Sequence, residues 1–407
     1  MKYDLVIIGG GAAGMMTAIS TFRCHPDWKI LLLEKNSTLG RKILITGNGR
    51  CNLTNVNLNT TYFNNPEFVS PVLKQFSYKE IDNFFDDLGL LVYEEKKGNT
   101  GKIFPVSDAA SSVVNLLGDA VEKSKVEVKT EVICENVVNT SDGFLIKIKN
   151  NKNDILADKV VLTTGGKTYP ALGADGNGFD LAKKLGHKII TPVPSGVPLE
   201  GKNKLTQELQ GLKIPVEISV LKNNKKVTGD LMFAKYGLSG TAVLSLSRDL
   251  SIFLNRENQK EVTVLLNFMP GYDFDLAVDF WSKRKQNNLE RDIVVDWCGV
   301  FPPKFSNVFL KMVGVAGKYS EINKSTIEKL VSLLINYEYK ITATRGWNEA
   351  EFTAGGIDCE EIDPITLESK KIAGLYFAGE VIDVDGDIGG YNLSWAWASG
   401  FVVGQSV

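Results

Sequence analysis

Three glycines near the amino terminus constrain the fold more than any other feature of this sequence. The chain begins MKYDLVIIGGGAAG, so Gly9, Gly11 and Gly14 follow a short apolar run and precede residues typical of a helix. In a Rossmann unit the first glycine permits the tight turn, the second lets the backbone approach a pyrophosphate, and the third allows close packing of helix on strand. Ala12 and Ala13 would open a helix whose free N–H groups and positive dipole end face the phosphates.

An acidic residue lies where a ribose-binding carboxylate is expected. Residues 29–33 form a second apolar run that ends at Glu34, and Lys35 follows it. The Glu34 carboxylate can accept hydrogen bonds from ribose hydroxyls. A glycine turn without a ligand is the alternative, but strand, helix and acidic residue in register favour a dinucleotide site. The pattern predicts an α/β domain and does not by itself separate FAD from NAD.

The residues after Glu34 favour FAD. The glycine-rich, basic segment GRKILITGNGRCNLTN occupies positions 40–55, where an NAD domain would continue into its next βα unit. In a flavoprotein such a segment runs beside the ribityl chain, where glycine allows close backbone contact. Its basic side chains could offset phosphate charge, although a solvated basic loop is the alternative. The cofactor residues predicted here are Gly40, Arg41, Lys42, Thr46, Gly47, Asn48, Arg50, Cys51 and Asn52.

Two later glycine-containing segments are predicted to complete the cofactor site. One follows a buried strand at 158–163, and the other closes the chain, where Asp383 could bind ribityl hydroxyls. The last helix, from about Asn392, would aim its N-terminus at the flavin N1/C2=O edge and stabilise the charge that develops on reduction. The cofactor residues predicted in the later part of the chain are Val132, Thr164, Gly165, Gly166, Gly379, Glu380, Asp383, Gly389, Gly390, Tyr391 and Asn392.

A proline-rich segment indicates a domain boundary. PVPSGVP, at 192–198, holds three prolines in seven residues, and the pattern beyond it is antiparallel. Alternating runs at 213–221 and 226–233 predict a hairpin, and helices are predicted at 274–287 and 325–336. Before the boundary, a strand is predicted at 126–134, and Ser107-Asp108 is predicted to cap a helix at 108–123. The predicted organisation is an FAD-binding domain in two parts, residues 1–191 and 343–407, with an inserted β-rich and helical domain at 192–342.

Four segments resemble the BaiN/YhiN-like flavoprotein family, whose members are described as NAD(P)/FAD-dependent oxidoreductases or aminoacetone oxidase family proteins. They are GRKILITGNGRCNLTN, TTGGKTYPALGADGNGFDLAKKLGH, FAKYGLSG and GLYFAGEVIDVDGDIGGYNLSWAWASG, and they span the chain. The resemblance implies an α/β fold with a glutathione-reductase-type, Rossmann-like FAD domain, split by an antiparallel, barrel-like and helical domain. The family usually has Phe-Thr-His in the third segment, where this chain has Phe233-Ala234-Lys235. If that histidine transfers protons in the family, this chain lacks it and has Lys235 in its place.

Catalytic residues are less well defined by the sequence. The candidates are Cys51, Tyr169, Lys235 and Tyr391. For Cys51, packing against the cofactor is favoured over adduct formation, since a free cysteine commonly behaves as a small apolar residue. The five cysteines are widely spaced without a CxxC motif, which predicts neither a disulfide framework nor a metal site and fits a reducing cytoplasm.

Composition limits the partners. The net charge of -2 gives no reason to expect nucleic acid, and no apolar stretch reaches the roughly 18 residues of a membrane span. No second Rossmann fingerprint is present, so NAD(P)H would bind only transiently as an electron donor. Three functions follow: reduction of an activated C=C bond in a small apolar substrate, oxidation of a small amine or ketone, or a non-catalytic flavin sensor or RNA-modification accessory.

Overall fold

The chain divides into two compact units. The computed structural model describes residues 2–96, 100–150 and 154–407. The first unit comprises Met1–Pro192 and Glu351–Val407, and the second comprises Val193–Ala350. The sequence places the second boundary at 342/343, but Ala343–Thr344 forms a strand that pairs within the second unit. The first unit is therefore built from both ends of the chain.

The strands and helices, numbered in chain order, have the following bounds. The strands are β1 (Lys2–Ile8), β2 (Ile30–Leu33), β3 (Thr54–Asn55), β4 (Val92–Glu94), β5 (Lys102–Pro105), β6 (Glu127–Lys129), β7 (Cys134–Thr140), β8 (Gly143–Ile148), β9 (Ile155–Leu162), β10 (Ile189–Ser195), β11 (Leu199–Glu200), β12 (Lys213–Val220), β13 (Lys226–Ala234), β14 (Gly237–Ser239), β15 (Val262–Asn267), β16 (Tyr337–Ile341), β17 (Ala343–Thr344), β18 (Phe352–Ile357) and β19 (Leu375–Phe377). The helices are α1 (Ala12–Cys24), α2 (Pro66–Gln75), α3 (Tyr78–Asp87), α4 (Ala110–Lys123), α5 (Asn177–Lys184), α6 (Lys204–Glu208), α7 (Thr241–Ser251), α8 (Phe274–Asn287), α9 (Ile293–Trp297), α10 (Pro303–Met312), α11 (Lys324–Ile335) and α12 (Tyr391–Ser406).

A parallel sheet forms the centre of the first unit. Strands β6, β2, β1 and β9 are neighbours in that order, and β19 adds to the far edge of β9 beside the β7–β8 hairpin. Strand β2 is buried along its whole length, as is usual for strands covered on both faces. Because these strands are parallel, their carboxyl ends at Ile8, Leu33, Leu162 and Phe377 lie along one edge of the sheet.

Helices α1 and α12 bring the two ends of the chain together. A Cβ atom added at Gly400 would lie 2.5 Å from the Ala13 carbonyl oxygen, and one at Gly404 would lie 2.5 Å from the Ser20 Cβ. Only glycine permits so close an approach of the two helices. Trp395 is buried on α12, which begins one residue before the predicted start. The amino-terminal glycine turn and the last helix are thereby placed side by side.

The second unit holds a curled antiparallel sheet. Its strand order is β16-β15-β12-β13-β14-β11-β17. The strands at the two ends of this order are neighbours in the chain, because β16 ends at Ile341 and β17 begins at Ala343. The sheet therefore curves until its ends approach each other, as the barrel-like expectation requires. The hairpin of β12 and β13 and the helix α8 lie where the sequence predicts them.

Two local predictions are wrong. The predicted strand at 126–134 contains parts of two strands, because Glu131 has a left-handed φ of 59° and breaks the extended backbone. The predicted cap Ser107-Asp108 does not cap α4, whose N-cap is Ala109. Asp108 is itself left-handed, and its carboxylate accepts a hydrogen bond from the Tyr93 hydroxyl.

Candidate cofactor and active site

A cleft opens in the first unit at the carboxyl edge of the parallel sheet. It encloses about 1270 Å³ of space, part of it open to solvent. In open α/β sheets, ligands bind at this edge. The sequence-predicted residues that line it are Gly9, Gly11, Ala12, Ala13, Glu34, Lys35, Gly40, Arg41, Lys42, Thr46, Val132, Thr164, Gly165, Gly379, Glu380 and Asn392. Residues from both chain ends thus share one cleft.

The glycine turn leaves room for a phosphate group. A Cβ atom added at Gly11 would meet no atom within 4 Å, so the backbone there faces open space. At Gly14, by contrast, a Cβ atom would overlap the carbonyl oxygen of Gly9, so helix α1 packs directly on the turn. The first N–H groups of α1 have no partner inside the helix and are suited to an anion. The cradle therefore fits the diphosphate of a dinucleotide.

Glu34 is fixed at the end of β2. Its Oε2 atom accepts a hydrogen bond from the Gly10 backbone N–H at 2.8 Å. Its Oε1 atom accepts two more, from the backbone N–H and the side-chain amide of Asn36, both at 2.7 Å. A carboxylate offers about four acceptor positions, so one remains for a ribose hydroxyl. The sequence did not identify Gly10 or Asn36 as part of this arrangement.

Residues 172–177 close the same end of the cleft. The Asn36 amide also donates to the Leu172 carbonyl oxygen at 3.0 Å, and a Cβ atom at Gly173 would clash with that amide. Lys35 forms an ion pair with Asp175 at 2.6 Å. The sequence signal for this contact is the cluster of glycines in ALGADGNG, at 171–178, which is not among the predicted cofactor residues.

A polar cluster joins three separate segments beside the cleft. The Lys42 ammonium donates to Glu380 Oε2 at 2.6 Å and to Thr168 Oγ1 at 2.5 Å. Glu380 also accepts from the backbone N–H of Thr353 at 2.7 Å and of Gly166 at 3.3 Å. The charge of Lys42 is therefore balanced by a carboxylate, rather than standing free for a phosphate.

Arg50 does not point into the cleft. Its guanidinium donates to the Glu95 carboxylate at 3.1 Å and lies 4.0 Å from the centre of the Phe104 ring. Gly47 and Asn48, both with φ of 57°, reverse the chain just before it. In the orientation that satisfies both partners, the Asn52 amide donates to Thr54 and accepts from Gly390. The second half of the basic segment therefore packs against the protein.

Cys51 is a core residue. Its side chain is fully buried, and it does not line the cleft. Burial raises the pKa of the thiol to about 12, although a hydrogen bond with Thr46 opposes the rise. The thiol therefore stays protonated near neutral pH. Packing, rather than adduct formation, is the role that this environment favours.

At the carboxyl-terminal segment, the cleft is lined by some of the predicted residues and by some of their neighbours. Asn392 and Leu393, in the first turn of α12, line it, as does Val384. Asp383 does not line it. Tyr391 is buried and stacks on Tyr62 with ring centres 4.3 Å apart, and burial together with the Tyr62 hydrogen bond raises its pKa. Gly166, Gly389 and Gly390 pack against neighbouring protein atoms.

The other two catalytic candidates also lie outside the lining of the cleft. Tyr169 has a left-handed φ of 56°, a backbone conformation that is costly for a residue other than glycine. Lys235 is exposed in the second unit, at the end of the β13–β14 hairpin. The structure therefore brings many of the predicted cofactor residues together in one cleft, but none of the predicted catalytic ones lines it. The lining residues that the sequence missed include Ile43, Ile133, Glu351, Phe352 and Trp395.

Membrane-spanning helices and metal sites are both absent from the described part of the chain. Within it, no helix combines the length and apolar character needed to cross a membrane. No group of three or more histidine, cysteine or acidic side chains there is arranged to hold a metal ion.

The fold and the cleft define the class: this is a Rossmann-type dinucleotide-binding protein with an α/β core. A family model described as HI0933-like protein Rossmann domain matches residues 3–406. The chain therefore belongs to the HI0933-like family.

Similar proteins carry named activities. The 3-dehydro-bile acid delta(4,6)-reductase of Clostridium scindens is 34% identical over 98% of both chains. The ribosomal RNA dihydrouridine synthase of Escherichia coli is 30% identical, over 100% of this chain and 98% of its own. A protein of the same name from Haemophilus influenzae is 28% identical over 99% of this chain and 98% of its own.

Solved structures share the fold at low sequence identity. The 3-ketosteroid delta1-dehydrogenase of Sterolibacterium denitrificans has a TM-score of 0.52 at 12% identity, with 99% of both chains covered. The E. coli quinol fumarate reductase also has a TM-score of 0.52, at 15% identity, over 100% of this chain and 69% of its own. Together with the family and the cleft, these similarities make the chain an FAD-dependent oxidoreductase.

Proposed function

We propose that this protein reduces a C=C bond conjugated to a carbonyl group in a small apolar substrate, with electrons from NAD(P)H. The observation that carries the proposal is the 34% identity, over nearly the whole of both chains, to a bile acid delta(4,6)-reductase. In this proposal the first unit is the FAD-binding domain, formed by two chain segments, and the second unit is the inserted domain.

The two activities named for the relatives have a common chemistry, which supports this reaction class. A 3-dehydro-delta(4,6) steroid has double bonds in line with a ketone at position 3, and uracil has a C=C bond next to its C4 carbonyl. In both, the carbonyl withdraws electrons, so that the far carbon of the alkene accepts hydride and the near carbon accepts a proton. A site for one such alkene is chemically suited to the other, while the surrounding surface sets the size of the substrate.

The lining of the cleft suits that chemistry. FAD, when bound, supplies a ring that accepts and delivers hydride. The N-terminus of α12, at Asn392 and Leu393, can stabilise negative charge through its free N–H groups and dipole. Ile43, Phe352 and Val384 add apolar surface, which would favour a substrate with little charge. The five cysteines are free thiols, which suits a reducing compartment such as the cytoplasm.

The reaction is tested in two half-reactions under anaerobic conditions. The FAD-loaded protein is mixed with NADH or NADPH, and bleaching of the flavin absorbance reports electron uptake. The reduced protein is then mixed with a 3-oxo-delta(4,6) steroid, and mass spectrometry reports a product heavier by two hydrogens. Return of the flavin colour together with that product is expected. If NAD(P)H does not bleach the flavin, NAD(P)H is not the electron donor. If no conjugated enone reoxidises the reduced flavin, the proposed reaction is wrong.

Reduction of uracil in ribosomal RNA is the second candidate. It is supported by the matches to dihydrouridine synthases at 30% and 28% identity, which cover nearly the entire chain. The second unit also contains more lysine and arginine than aspartate and glutamate, although the whole chain has a net charge of -2. Unmodified ribosomal RNA is the competing substrate in the assay. Reoxidation by this RNA with formation of dihydrouridine, and none by the steroid, would favour the second candidate.

A further inference from the structure

One charged side chain in the cleft stands apart from the others. Glu34, Lys35, Arg41, Lys42, Asp175 and Glu380 line the cleft, and each has a hydrogen bond or an ion pair. Glu351 lines the same cleft, and no described residue is hydrogen-bonded to it or forms an ion pair with it; only the charge of Lys102 acts on it from a greater distance. A carboxyl group that no described residue engages, beside a cofactor site, is available for a ligand.

The backbone next to Glu351 is firmly held. Phe352 follows it, is buried, and lines the same cleft as the first residue of β18. The backbone N–H of Thr353 donates to Glu380, and the Thr353 hydroxyl accepts from the backbone N–H of Lys167 at 2.8 Å. Glu351 is thus two residues from the polar cluster that contains Lys42. Its position relative to the cleft is set by a buried strand rather than by a free loop.

The surroundings of Glu351 shift its pKa upward. The side chain is accessible to solvent, yet it lies in a concave site with protein atoms around it. These protein atoms partly displace water from the carboxylate and thereby raise the pKa of Glu351, whereas the positive charge of Lys102 on β5 opposes the rise. The other charged groups of the cleft are engaged with their own partners. Glu351 therefore holds its proton to a higher pH than an ordinary glutamate does.

We infer that Glu351 is the proton donor for the reduction proposed above, on which this assignment rests. Hydride from the reduced flavin forms a C–H bond at the alkene carbon far from the carbonyl. The hydride brings the electron pair of that bond, and the pair released from the C=C bond forms the second C–H bond, at the carbon next to the carbonyl, with the proton that the Glu351 acid gives up. The flavin is oxidised, the substrate is reduced, and the carboxylate left on Glu351 takes a proton from water.

Lys42 is the other proton donor that the cleft offers. Its ammonium already donates to Glu380 and to Thr168, so two of its three N–H bonds are used. Because a carboxylate holds its charge, Lys42 is better suited to fixing the shape of the cleft than to donating a proton to a substrate. The comparison of Lys42 with Glu351 is therefore part of the test.

The test uses Glu351→Gln in the FAD-loaded protein, with Glu122→Gln on the exposed face of α4 as the matched control. Bleaching by NAD(P)H should change by no more than about twofold. Reoxidation by the enone should slow by about 100-fold or more, the size usual for loss of a general acid. In the wild type this rate should fall as pH rises through the Glu351 pKa, and that fall should be absent in Glu351→Gln. Glu351→Asp should recover part of the rate.

A spectroscopic measurement gives a readout other than turnover. Infrared difference spectra of the FAD-loaded protein during a pH titration should show a carboxylic acid carbonyl band that persists above the ordinary glutamate pKa of about 4.3. The band should be lost in Glu351→Gln and retained in Glu122→Gln and Lys42→Met.

The outcomes separate the two proposals. If Glu351→Gln is reoxidised as fast as the wild type, with the same pH dependence, the donor assignment is wrong and the reaction class stands. A band that titrates as an ordinary glutamate also overturns the assignment. If the wild type itself is reoxidised by neither enone nor uracil, the proposed function fails and the donor assignment falls with it.

Discussion

The glycine turn at 9–14 and the glycine-rich loop at 40–55 look alike in the sequence and differ in the structure. Every residue from Gly9 to Ala13 lines the cleft. The loop lines it only through residues 40–43 and Thr46, and its second half packs on the protein. Both segments were predicted to contact the cofactor along most of their length.

The environment of the glycines explains the difference. At Gly11 a Cβ atom would enter open space, whereas at Gly47 it would lie 2.7 Å from the Asn52 backbone nitrogen. Gly47 also has a φ of 57°, so glycine is needed there for chain reversal. A cluster of glycines therefore predicts a tightly placed backbone, but whether that backbone faces a ligand or the protein depends on the tertiary structure.

The largest effect is expected from Gly11→Leu. The new side chain would occupy the space beside the first turn of α1, where the diphosphate is proposed to lie. FAD affinity should fall by about 100-fold or more, or about 2.7 kcal/mol, while the thermal stability of the apoprotein changes little. Fluorescence titration with FAD measures the affinity. Gly118→Leu, at another open glycine outside the cleft, is the control, and equal affinities in the two variants would contradict the account.

A smaller effect, on stability rather than on FAD affinity, is expected from Gly47→Ala. The left-handed backbone and the close Asn52 nitrogen should lower the free energy of unfolding by about 1–3 kcal/mol. FAD affinity of the folded protein should stay within about threefold of the wild type, because Gly47 does not line the cleft. Denaturant unfolding of the apoprotein and FAD titration measure the two quantities. A large loss of affinity without loss of stability would place this glycine at the cofactor instead.

The smallest effect concerns Cys51. Because burial raises its pKa to about 12, its thiolate is scarce at pH 8, and alkylation there should be slow. The stabilisation linked to its thiol form is present below the unfolded thiol pKa and is lost as pH rises through the folded value. The exposed Cys24 and Cys298 should react first, as peptide mass spectrometry would show. Rapid labelling of Cys51 in native protein at pH 8 would argue for an exposed, reactive thiol.

Local patterns were sufficient for the first turn of the cofactor site. The apolar run, the glycine spacing and Glu34 lie within about thirty-five residues, so the sequence itself places them together. The segment from Gly379 to Asn392 was also assigned to the cleft, because glycines around a strand and helix carry a similar local signal. Within this segment Asp383 was predicted to face the cofactor, but the next residue, Val384, lines the cleft instead. A local pattern does not fix side-chain direction to within one residue.

Long-range contacts could not be inferred in this way. Arg50 pairs with Glu95, forty-five positions away, and no local pattern links them. Glu351 lies where the chain re-enters the first unit, and neither its spacing nor its neighbours mark it as part of a site. The predicted cap at Ser107-Asp108 is wrong because the backbone turns left-handed at Asp108, before α4 begins at Ala110. In each case tertiary packing, rather than local propensity, determines where the side chain points.

The most direct measurement compares FAD with FMN in calorimetric titrations of the apoprotein. The cleft extends from the N-terminus of α12 past the glycine turn to Glu34 and Val132, so it should hold the adenosine part of FAD as well as the flavin. We expect one FAD per chain and FMN binding weaker by about 100-fold or more, a difference of about 2.7 kcal/mol. Equal affinity for the two, or no binding of FAD, would contradict a cofactor site formed by both ends of the chain.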